Sequence, residues 1–215
     1  MKVIITGTTG YVGEGVMLSC LDDERIEKIL SVSRKPIGIC YPKLEEYIVE
    51  DFLKLPENDP KLQGYDGVFF CAGCSSVGMP MDEYKITCQD IPLHFAKAVG
   101  PNPNSIFTFV SGAGTSDKNP QKWAKIKSVT EKELIKMNWR GAYNFRVMIM
   151  RPHPKQHFRP KFISSSKRLY PLMRLLGMAN TIEQVADAMI TLYNTNYHTP
   201  FIGVRDVNKL SKKTK

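Results

Sequence analysis

Residues 3–13 read V-I-I-T-G-T-T-G-Y-V-G, and the architecture of the chain follows from them. Apolar, β-favouring residues lead into glycines at positions 7, 10 and 13, and apolar residues at helical spacing continue to Leu21. A strand, a glycine turn and a helix start in this order direct backbone N–H groups and the positive end of a helix dipole at one point. The stretch therefore predicts a site for an anion, most often a dinucleotide pyrophosphate; the alternative is a tight turn without a ligand.

The size and composition indicate one globular domain. The chain has 215 residues, of which 42% are hydrophobic, and residues 1–215 are predicted to form a single domain. No run of 18 apolar residues occurs, so no membrane span is expected. The first predicted strand begins at residue 2, so no signal peptide is expected, and the five cysteines are an odd number. Reduced thiols and a cytoplasmic location are the simplest interpretation.

The positive charge is concentrated at the end of the chain. Residues 1–150 contain 18 Lys/Arg and 18 Asp/Glu, whereas residues 151–215 contain 12 against 3 and account for the whole net charge of +9. This pattern fits a basic surface with a solvated tail at 206–215, or a basic lid over an anionic ligand. No helix-turn-helix, zinc-finger or RNP-like motif is present, so nucleic acid is not expected as a partner.

Strand-like and helix-like segments alternate along the chain. This alternation predicts an α/β fold, a Rossmann-type doubly wound parallel sheet with helices on both faces. Residues 152–180 are irregular and are predicted to form a small substrate lid with an amphipathic piece at 165–177. Thr181 and Gln184 are spaced as a capping box at the start of the last long helix. The predicted strands are 2–6, 28–33, 46–50, 67–71, 105–111, 144–150 and 200–204, and the predicted helices are 11–22, 82–99, 120–138 and 181–194.

Several short motifs recur in a fixed order at the predicted strand ends. They are T-G-T-T-G-Y-V-G at 6–13, S-R-K at 33–35, E-D-F at 50–52, C-A-G at 71–73, V-S-G-A-G at 110–114 and R-P at 151–152, with Lys127 on a helix. Through them the chain resembles the short-chain dehydrogenase/reductase superfamily. The likeness is to its small atypical, NAD(P)-binding members of the epimerase-like kind, including the Tat-interacting-protein-like group.

The resemblance implies a cofactor site. Gly7 allows the tight turn, Gly10 lets the pyrophosphate approach, and Gly13 lets the helix pack on the sheet. Two cations after the second strand, Arg34 and Lys35, suit the 2′-phosphate of NADP(H) better than NAD(H). The predicted cofactor-binding residues are Gly7, Thr8, Thr9, Gly10, Tyr11, Val12, Gly13, Ser33, Arg34, Lys35, Asp51, Phe52, Cys71, Ala72, Gly73, Lys127, Pro152 and His153.

The catalytic positions implied by the resemblance are incomplete. The superfamily uses a Ser followed by Tyr-x-x-x-Lys on the next helix, and here Ser111 and Lys127 are the predicted catalytic residues. The residue four positions before Lys127 is Trp123 rather than Tyr. An indole N–H donates a hydrogen bond but does not exchange a proton near neutral pH, so ordinary ketone reduction should be slowed.

Two functions survive this replacement. One is a specialised oxidoreductase whose acceptor, such as a quinone or a flavin, needs no strong protein acid. The other is a non-catalytic regulatory protein that a partner recognises in its NADP(H)-bound state. Ser111 with a water, or a group from the lid, could also supply the proton. The small-molecule substrate is not indicated, and the resemblance allows a homodimer.

Two metal-like patterns are discounted. Cys71-x-x-Cys74 has no second pair at zinc spacing, and Cys71 falls on a predicted cofactor contact, so a metal or a redox pair is disfavoured there. His153 and His157 are four residues apart, but Pro152 and Pro154 disfavour the helix that would align them. No metal site is predicted.

Overall fold

The structure, a computed structural model, describes residues 1–158 and 170–211. Its main element is a sheet of seven strands that are all parallel. These strands are β1 (Lys2–Thr6), β2 (Lys28–Ser33), β3 (Leu44–Ile48), β4 (Gly67–Phe70), β5 (Ile106–Val110), β6 (Gly141–Arg146) and β9 (Phe201–Gly203). The strand order is β3-β2-β1-β4-β5-β6-β9, so the winding direction reverses between β1 and β4. The predicted doubly wound parallel sheet is thereby confirmed.

The helices cover both faces of the sheet. They are α1 (Tyr11–Leu21), α2 (Met81–Lys85), α3 (Ile91–Val99), α4 (Lys122–Lys136), α5 (Tyr170–Leu175), α6 (Ile182–Tyr193) and α7 (Val204–Leu210). One buried cluster joins α1, α6 and α7 to one face of the sheet, and a second joins α3 and α4 to the other. Each strand of the sheet centre is therefore buried on both sides, which explains its continuous apolar sequence.

The predicted helix at 82–99 contains a change of helix type. Helix α2 gives way to a π-turn at Ile86–Asp90, and α3 then completes the segment. Pro92 lacks a backbone N–H and lies in the first turn of α3, directly after the π-turn. A π-turn widens the helix and alters the direction of its side chains. It places Cys88 in the interior.

The predicted strand at 144–150 is wrong in its extent. Strand β6 ends at Arg146, and a separate strand β7 (Ile149–Arg151) pairs with β8 (Ala179–Thr181) in a small second sheet. The Val147 carbonyl still accepts a hydrogen bond (2.9 Å) from the Ala113 N–H beyond the end of β5, and the chain pairs with β8 only after this point. The chain therefore leaves the large sheet at the edge where the strands end.

The lid and the tail are described only in part. Residues 159–169 and 212–215 lie outside the described residues; they include Arg168 and Leu169 of the amphipathic piece and the last four residues of the predicted tail at 206–215. Helix α5 occupies 170–175 of the predicted 165–177 piece. The capping box is confirmed, because the Thr181 side chain accepts from Gln184 N (3.2 Å) and Gln184 Oε1 accepts from Thr181 N (3.0 Å). No helix in the described ranges is long and apolar enough to cross a membrane.

Candidate functional site

The glycine turn between β1 and α1 is tightly packed. Gly7 has a φ of +70°, and a Cβ there would lie 2.7 Å from Ala72 N. A Cβ on Gly13 would lie 2.2 Å from the Gly7 carbonyl oxygen, so the helix start touches the turn without room for a methyl group. The Gly10 N–H donates to Gly7 O (2.8 Å), which closes the turn. These contacts account for glycine at the first and third positions.

Two threonines hold the turn against the neighbouring strands. Thr6 Oγ1 accepts from the backbone N–H groups of Cys71 and Ala72, both at 3.1 Å, and so fixes the end of β4 beside the turn. Thr8 is fully buried, and its hydroxyl is 2.7 Å from the Ser31 hydroxyl on β2. The Thr8 side chain therefore points into the protein, while the exposed Thr9 faces the cleft.

A cleft of about 650 Å³ opens at the carboxyl ends of the strands, directly above the glycine turn. Ligands of doubly wound sheets bind at this edge, where the winding reverses. The cleft is lined by thirteen of the predicted site residues and by seven others. Its lining residues are Gly7, Thr9, Gly10, Tyr11, Val12, Ser33, Arg34, Phe52, Cys71, Ala72, Gly73, Cys74, Ser75, Val110, Ser111, Lys127, Val147, Met148, Met150 and Phe158.

The rim of the cleft at the end of β2 is basic. Arg34 is exposed and lines the cleft, whereas the exposed Lys35 does not. The Ser33 hydroxyl donates to the Lys35 carbonyl oxygen (2.6 Å) and so orders this turn.

Of the two residues predicted after β3, only Phe52 lines the cleft. The Asp51 side chain instead accepts from Leu53 N (3.0 Å) and caps the short 3₁₀ turn at Phe52–Lys54.

Ser111 and Lys127 lie together at the far end of the cleft. Ser111 is buried, and its hydroxyl is 3.1 Å from the Thr115 hydroxyl. Lys127 is 9% exposed, and its Nζ donates to the Val110 carbonyl oxygen (3.2 Å). Burial lowers the pKa of the Lys127 ammonium, and the nearby Cys88 and Cys74 sulfurs oppose that shift. The amine is thus held at the cleft wall with little access to bulk water.

Helix α4 is fixed so that Lys127 keeps this position. Glu131, one turn further along α4, is fully buried and accepts from Arg146 Nε (3.1 Å) and Nη2 (2.6 Å) on β6. The Thr130 hydroxyl donates to the Cys88 carbonyl oxygen (2.8 Å), which joins α4 to the π-turn. A bidentate pair of this kind gives both distance and orientation.

Trp123 is not among the residues that line the cleft. Its indole N–H donates to the Gln121 side-chain oxygen, and its ring lies beside the loop that follows β5. A Cβ added at Gly112 would be 3.7 Å from the ring, and one at Gly114 would be 3.8 Å away. The indole therefore packs against the loop that carries Ser111, one helical turn before Lys127.

The segment after β7 is bound to α1. The Glu14 carboxylate accepts from the backbone N–H groups of His157 (2.6 Å) and Phe158 (2.8 Å), and Phe158 lines the cleft. The Tyr11 hydroxyl donates to the Met150 carbonyl oxygen (2.7 Å) on β7. The helix that starts at the glycine turn therefore also positions His157 and Phe158 at the cleft.

Pro152 and His153 lie away from the main cleft. His153 is buried, its N–H donates to Gln156 Oε1 (2.9 Å), and it borders a smaller depression beside α1 and α6. Pro152 borders neither space. The structure thus brings together the predicted residues at the ends of β1, β2, β4 and β5, and leaves these two apart.

Sequence reasoning missed the cleft residues that come from the second sheet and from the loop after β4. Cys74 and Ser75 follow the C-A-G motif directly, so its position was an available signal. Met148, Met150 and Phe158 had no such signal, because the split between β6 and β7 was not predicted.

Two curated proteins are similar in sequence to part of this chain. No protein-family model matches the chain. The chain is 30% identical over 142 residues, 64% of its length, to "Leucinostatins biosynthesis cluster protein T" of Purpureocillium lilacinum, covering 52% of that protein. It is 28% identical over 116 residues, 49% of its length, to the "NmrA-like family domain-containing protein DDB_G0286605" of Dictyostelium discoideum, covering 38% of it. The chain spans about half the length, or less, of these curated relatives.

Solved structures share the architecture over nearly the whole chain. MoeE5 in complex with UDP-glucuronic acid and NAD superposes with a TM-score of 0.69 at 16% identity, covering 100% of this chain and 82% of that one. The UDP-N-acetylglucosamine 4-epimerase from Methanobrevibacter ruminantium has a TM-score of 0.65 at 18% identity, covering 98% and 80%. At these identities the likeness shows the fold of the chain. The fold implied by the motifs is confirmed.

Proposed function

We propose that this chain binds NADP(H) in the cleft above the glycine turn and acts as a specialised oxidoreductase of the atypical short-chain dehydrogenase/reductase kind. The observation that carries the proposal is the glycine turn itself. It opens into a cleft of about 650 Å³ that has Arg34 at one end and Ser111 with Lys127 at the other. One continuous space with a cation at one end and a hydroxyl and an amine at the other suits an extended dinucleotide.

The residues present fit such a cofactor. The backbone turn at 7–10 and the start of α1 would hold the pyrophosphate, and the small residues Ala72 and Gly73 would lie along a ribose. A Cβ on Gly73 would meet nothing within 4 Å, so the cleft wall is open there. Lys127 would hold the second ribose, and Ser111 would bind a ligand oxygen. The bound nicotinamide would supply a hydride or accept one.

The preference for NADP(H) rests on Arg34. MoeE5 binds NAD, which supports a dinucleotide without distinguishing the two cofactors. In NAD-specific sites a carboxylate at the end of the second strand holds the ribose 2′-hydroxyl. Here a guanidinium occupies the rim and the next residue is also a cation, so a 2′-phosphate would be paired with opposite charge.

Replacing Arg34 by alanine is expected to weaken NADPH binding about tenfold and to leave NADH binding nearly unchanged. A tenfold loss of affinity is at the low end of what the removal of a hydrogen bond to a charged group costs. We expect this small loss because the Arg34 guanidinium is exposed to solvent. Both affinities are measured by fluorescence titration of the nicotinamide. Lys35→Ala is the matched control, since Lys35 carries the same charge but does not line the cleft, and a smaller loss is expected. Equal losses for NADPH and NADH in the Arg34 variant would contradict the assignment.

The chemistry proposed for this site avoids a strong protein acid. The described cleft offers Ser111 and a buried Lys127 but no tyrosine at position 123. An acceptor such as a quinone or a flavin, which takes up its protons from water, would not need one. "Leucinostatins biosynthesis cluster protein T" is by its name a biosynthetic protein, which favours an enzyme acting on a small molecule.

A non-catalytic, NADP(H)-responsive regulatory protein is the second candidate. It is favoured by the one departure from the catalytic pattern, Trp123. The two candidates differ in turnover: NADPH oxidation that depends on an added quinone, flavin, aldehyde or ketone supports the enzyme. Tight NADPH binding without turnover over that panel, with a protein partner captured only in the presence of cofactor, supports the regulator.

A further inference from the structure

Two cysteine side chains face each other beside the cleft. Cys74 lies in the loop after β4 and lines the cleft, and Cys88 lies in the π-turn and is buried. Their Sγ atoms are 3.9 Å apart. This pairing differs from the Cys71-x-x-Cys74 pair that is visible in the sequence.

The distance between the two sulfurs allows a bond after a small movement. A disulfide has an S–S length of about 2.05 Å, so the two sulfur atoms must approach by about 2 Å. The Cys74 thiol also donates a hydrogen bond to the Met79 thioether (3.3 Å), and this bond is lost when the thiol hydrogen leaves. Within residues 1–158 and 170–211 no three His, Cys, Asp or Glu side chains gather around a metal position, so no metal site competes with this pairing.

We propose that Cys74 and Cys88 form a reversible disulfide that withdraws the Cys74 thiol from the cleft. A small disulfide RS–SR is the oxidant. The accessible Cys74 thiolate attacks one of its sulfurs, forming Cys74–S–SR and expelling RS⁻. The buried Cys88 thiolate then attacks Cys74 Sγ and expels the second RS⁻. The two protons lost by the protein thiols protonate the two RS⁻ ions, so the protein loses two electrons and RS–SR gains them.

The surroundings of the pair support this order of events. Only the first step needs access to a reagent, and Cys74 is the member that lines the cleft. Burial raises the pKa of Cys74 to about 11, and the charge of Lys127 opposes that shift. Cys74 is therefore mainly a thiol at neutral pH, and its attack on the oxidant is faster in mildly alkaline solution.

The disulfide would also alter the wall of the cleft. Cys74 lies between Gly73 and Ser75, and all three line the same wall. Tying this loop to the π-turn would change the position of that wall. Oxidation is therefore expected to weaken NADPH binding several-fold; this second part rests on the proposed cofactor site, whereas disulfide formation does not.

The test is chemical mapping of the oxidised protein. Cys40 is exposed and is first replaced by serine, so that links between molecules do not form. The Cys40→Ser protein is treated with oxidised glutathione at mildly alkaline pH, the remaining thiols are alkylated, and tryptic peptides are analysed by mass spectrometry. Trypsin cuts after Lys85, so the expected product joins two peptides through Cys74 and Cys88 and lacks two hydrogens. Dithiothreitol is expected to restore both thiols.

Two variants test which cysteines form the disulfide. Cys88→Ser is expected to stop at a Cys74–glutathione mixed disulfide, and Cys20→Ser is expected to form the Cys74–Cys88 link as before. A lasting mixed disulfide on Cys74 with Cys88 intact, or a Cys71–Cys74 link, would overturn the proposal. The mapping on the Cys40→Ser protein decides this even if a second substitution prevents folding.

The cofactor readout separates this inference from the proposed function. NADPH affinity is compared for the reduced and the cross-linked protein. A cross-link with unchanged NADPH affinity would overturn the coupling to the cleft. A cross-link in a protein whose reduced form binds no NADPH would instead overturn the proposed cofactor site and leave the disulfide standing.

Discussion

Replacing Trp123 by tyrosine is expected to raise NADPH-dependent reduction of aldehydes and ketones by about 10²–10⁴-fold, the usual contribution of a general acid or base. Position 123 is one helical turn before Lys127 and packs against the loop that carries Ser111. A phenol there would complete the Ser, Tyr and Lys set that the resemblance implies. The ammonium of Lys127 would stabilise the phenolate and lower the tyrosine pKa.

The matched control for this substitution is Trp123→Phe, which removes the indole in the same way but adds no hydroxyl. Initial rates of NADPH oxidation over a broad panel of carbonyl compounds provide the measurement. Adding Lys127→Ala to the tyrosine variant is expected to cancel the gain. If the tyrosine variant were no faster than the phenylalanine variant on any compound, the missing tyrosine would not be what limits this chemistry.

Replacing Gly13 by alanine is expected to lower the free energy of unfolding by about 3 kcal/mol, the upper part of the usual range for an added methyl group in a packed interior. The new Cβ would lie 2.2 Å from the Gly7 carbonyl oxygen and 2.8 Å from that of Thr6. Both are backbone atoms of the turn and cannot rotate away. At about 2–4 °C per kcal/mol for a domain of this size, the melting temperature would fall by about 6–12 °C.

Gly73→Ala is the matched control for the Gly13 substitution. A Cβ there meets no atom within 4 Å, so the unfolding free energy of the ligand-free protein is expected to change by less than about 0.5 kcal/mol. Urea unfolding of both variants without cofactor measures the difference. A Gly13 variant as stable as the Gly73 variant would contradict the tight packing of the turn.

The fold was predictable because its signals are local. The glycine turn, the apolar strands and the Thr181–Gln184 capping box each depend on residues close in sequence. The split of residues 144–151 into β6 and β7 was not predictable in this way. It depends on the pairing of β7 with β8, a segment that is distant in sequence.

The residues of the candidate site that follow directly after strands were predictable from the sequence. The other residues that line the cleft were not. Parallel strands bring their carboxyl ends to one edge, so Gly10, Arg34, Cys71 and Ser111 come together without further information. The direction in which a side chain points was not predictable in this way. Thr8 is an example, because its hydroxyl lies 2.7 Å from the Ser31 hydroxyl in the interior. The Cys74–Cys88 contact likewise needed the π-turn, which no sequence pattern indicated.

The central claim is that the glycine turn opens a site for NADP(H), and thermal unfolding with NADPH, NADP⁺, NADH and NAD⁺, each titrated separately, tests it most directly. A ligand at about a hundred times its dissociation constant stabilises by roughly 2.7 kcal/mol. For a domain of this size we expect a rise in melting temperature of about 5–10 °C with NADPH or NADP⁺ and little with NADH or NAD⁺. No rise with any of the four would contradict the claim and leave the turn a structural feature alone.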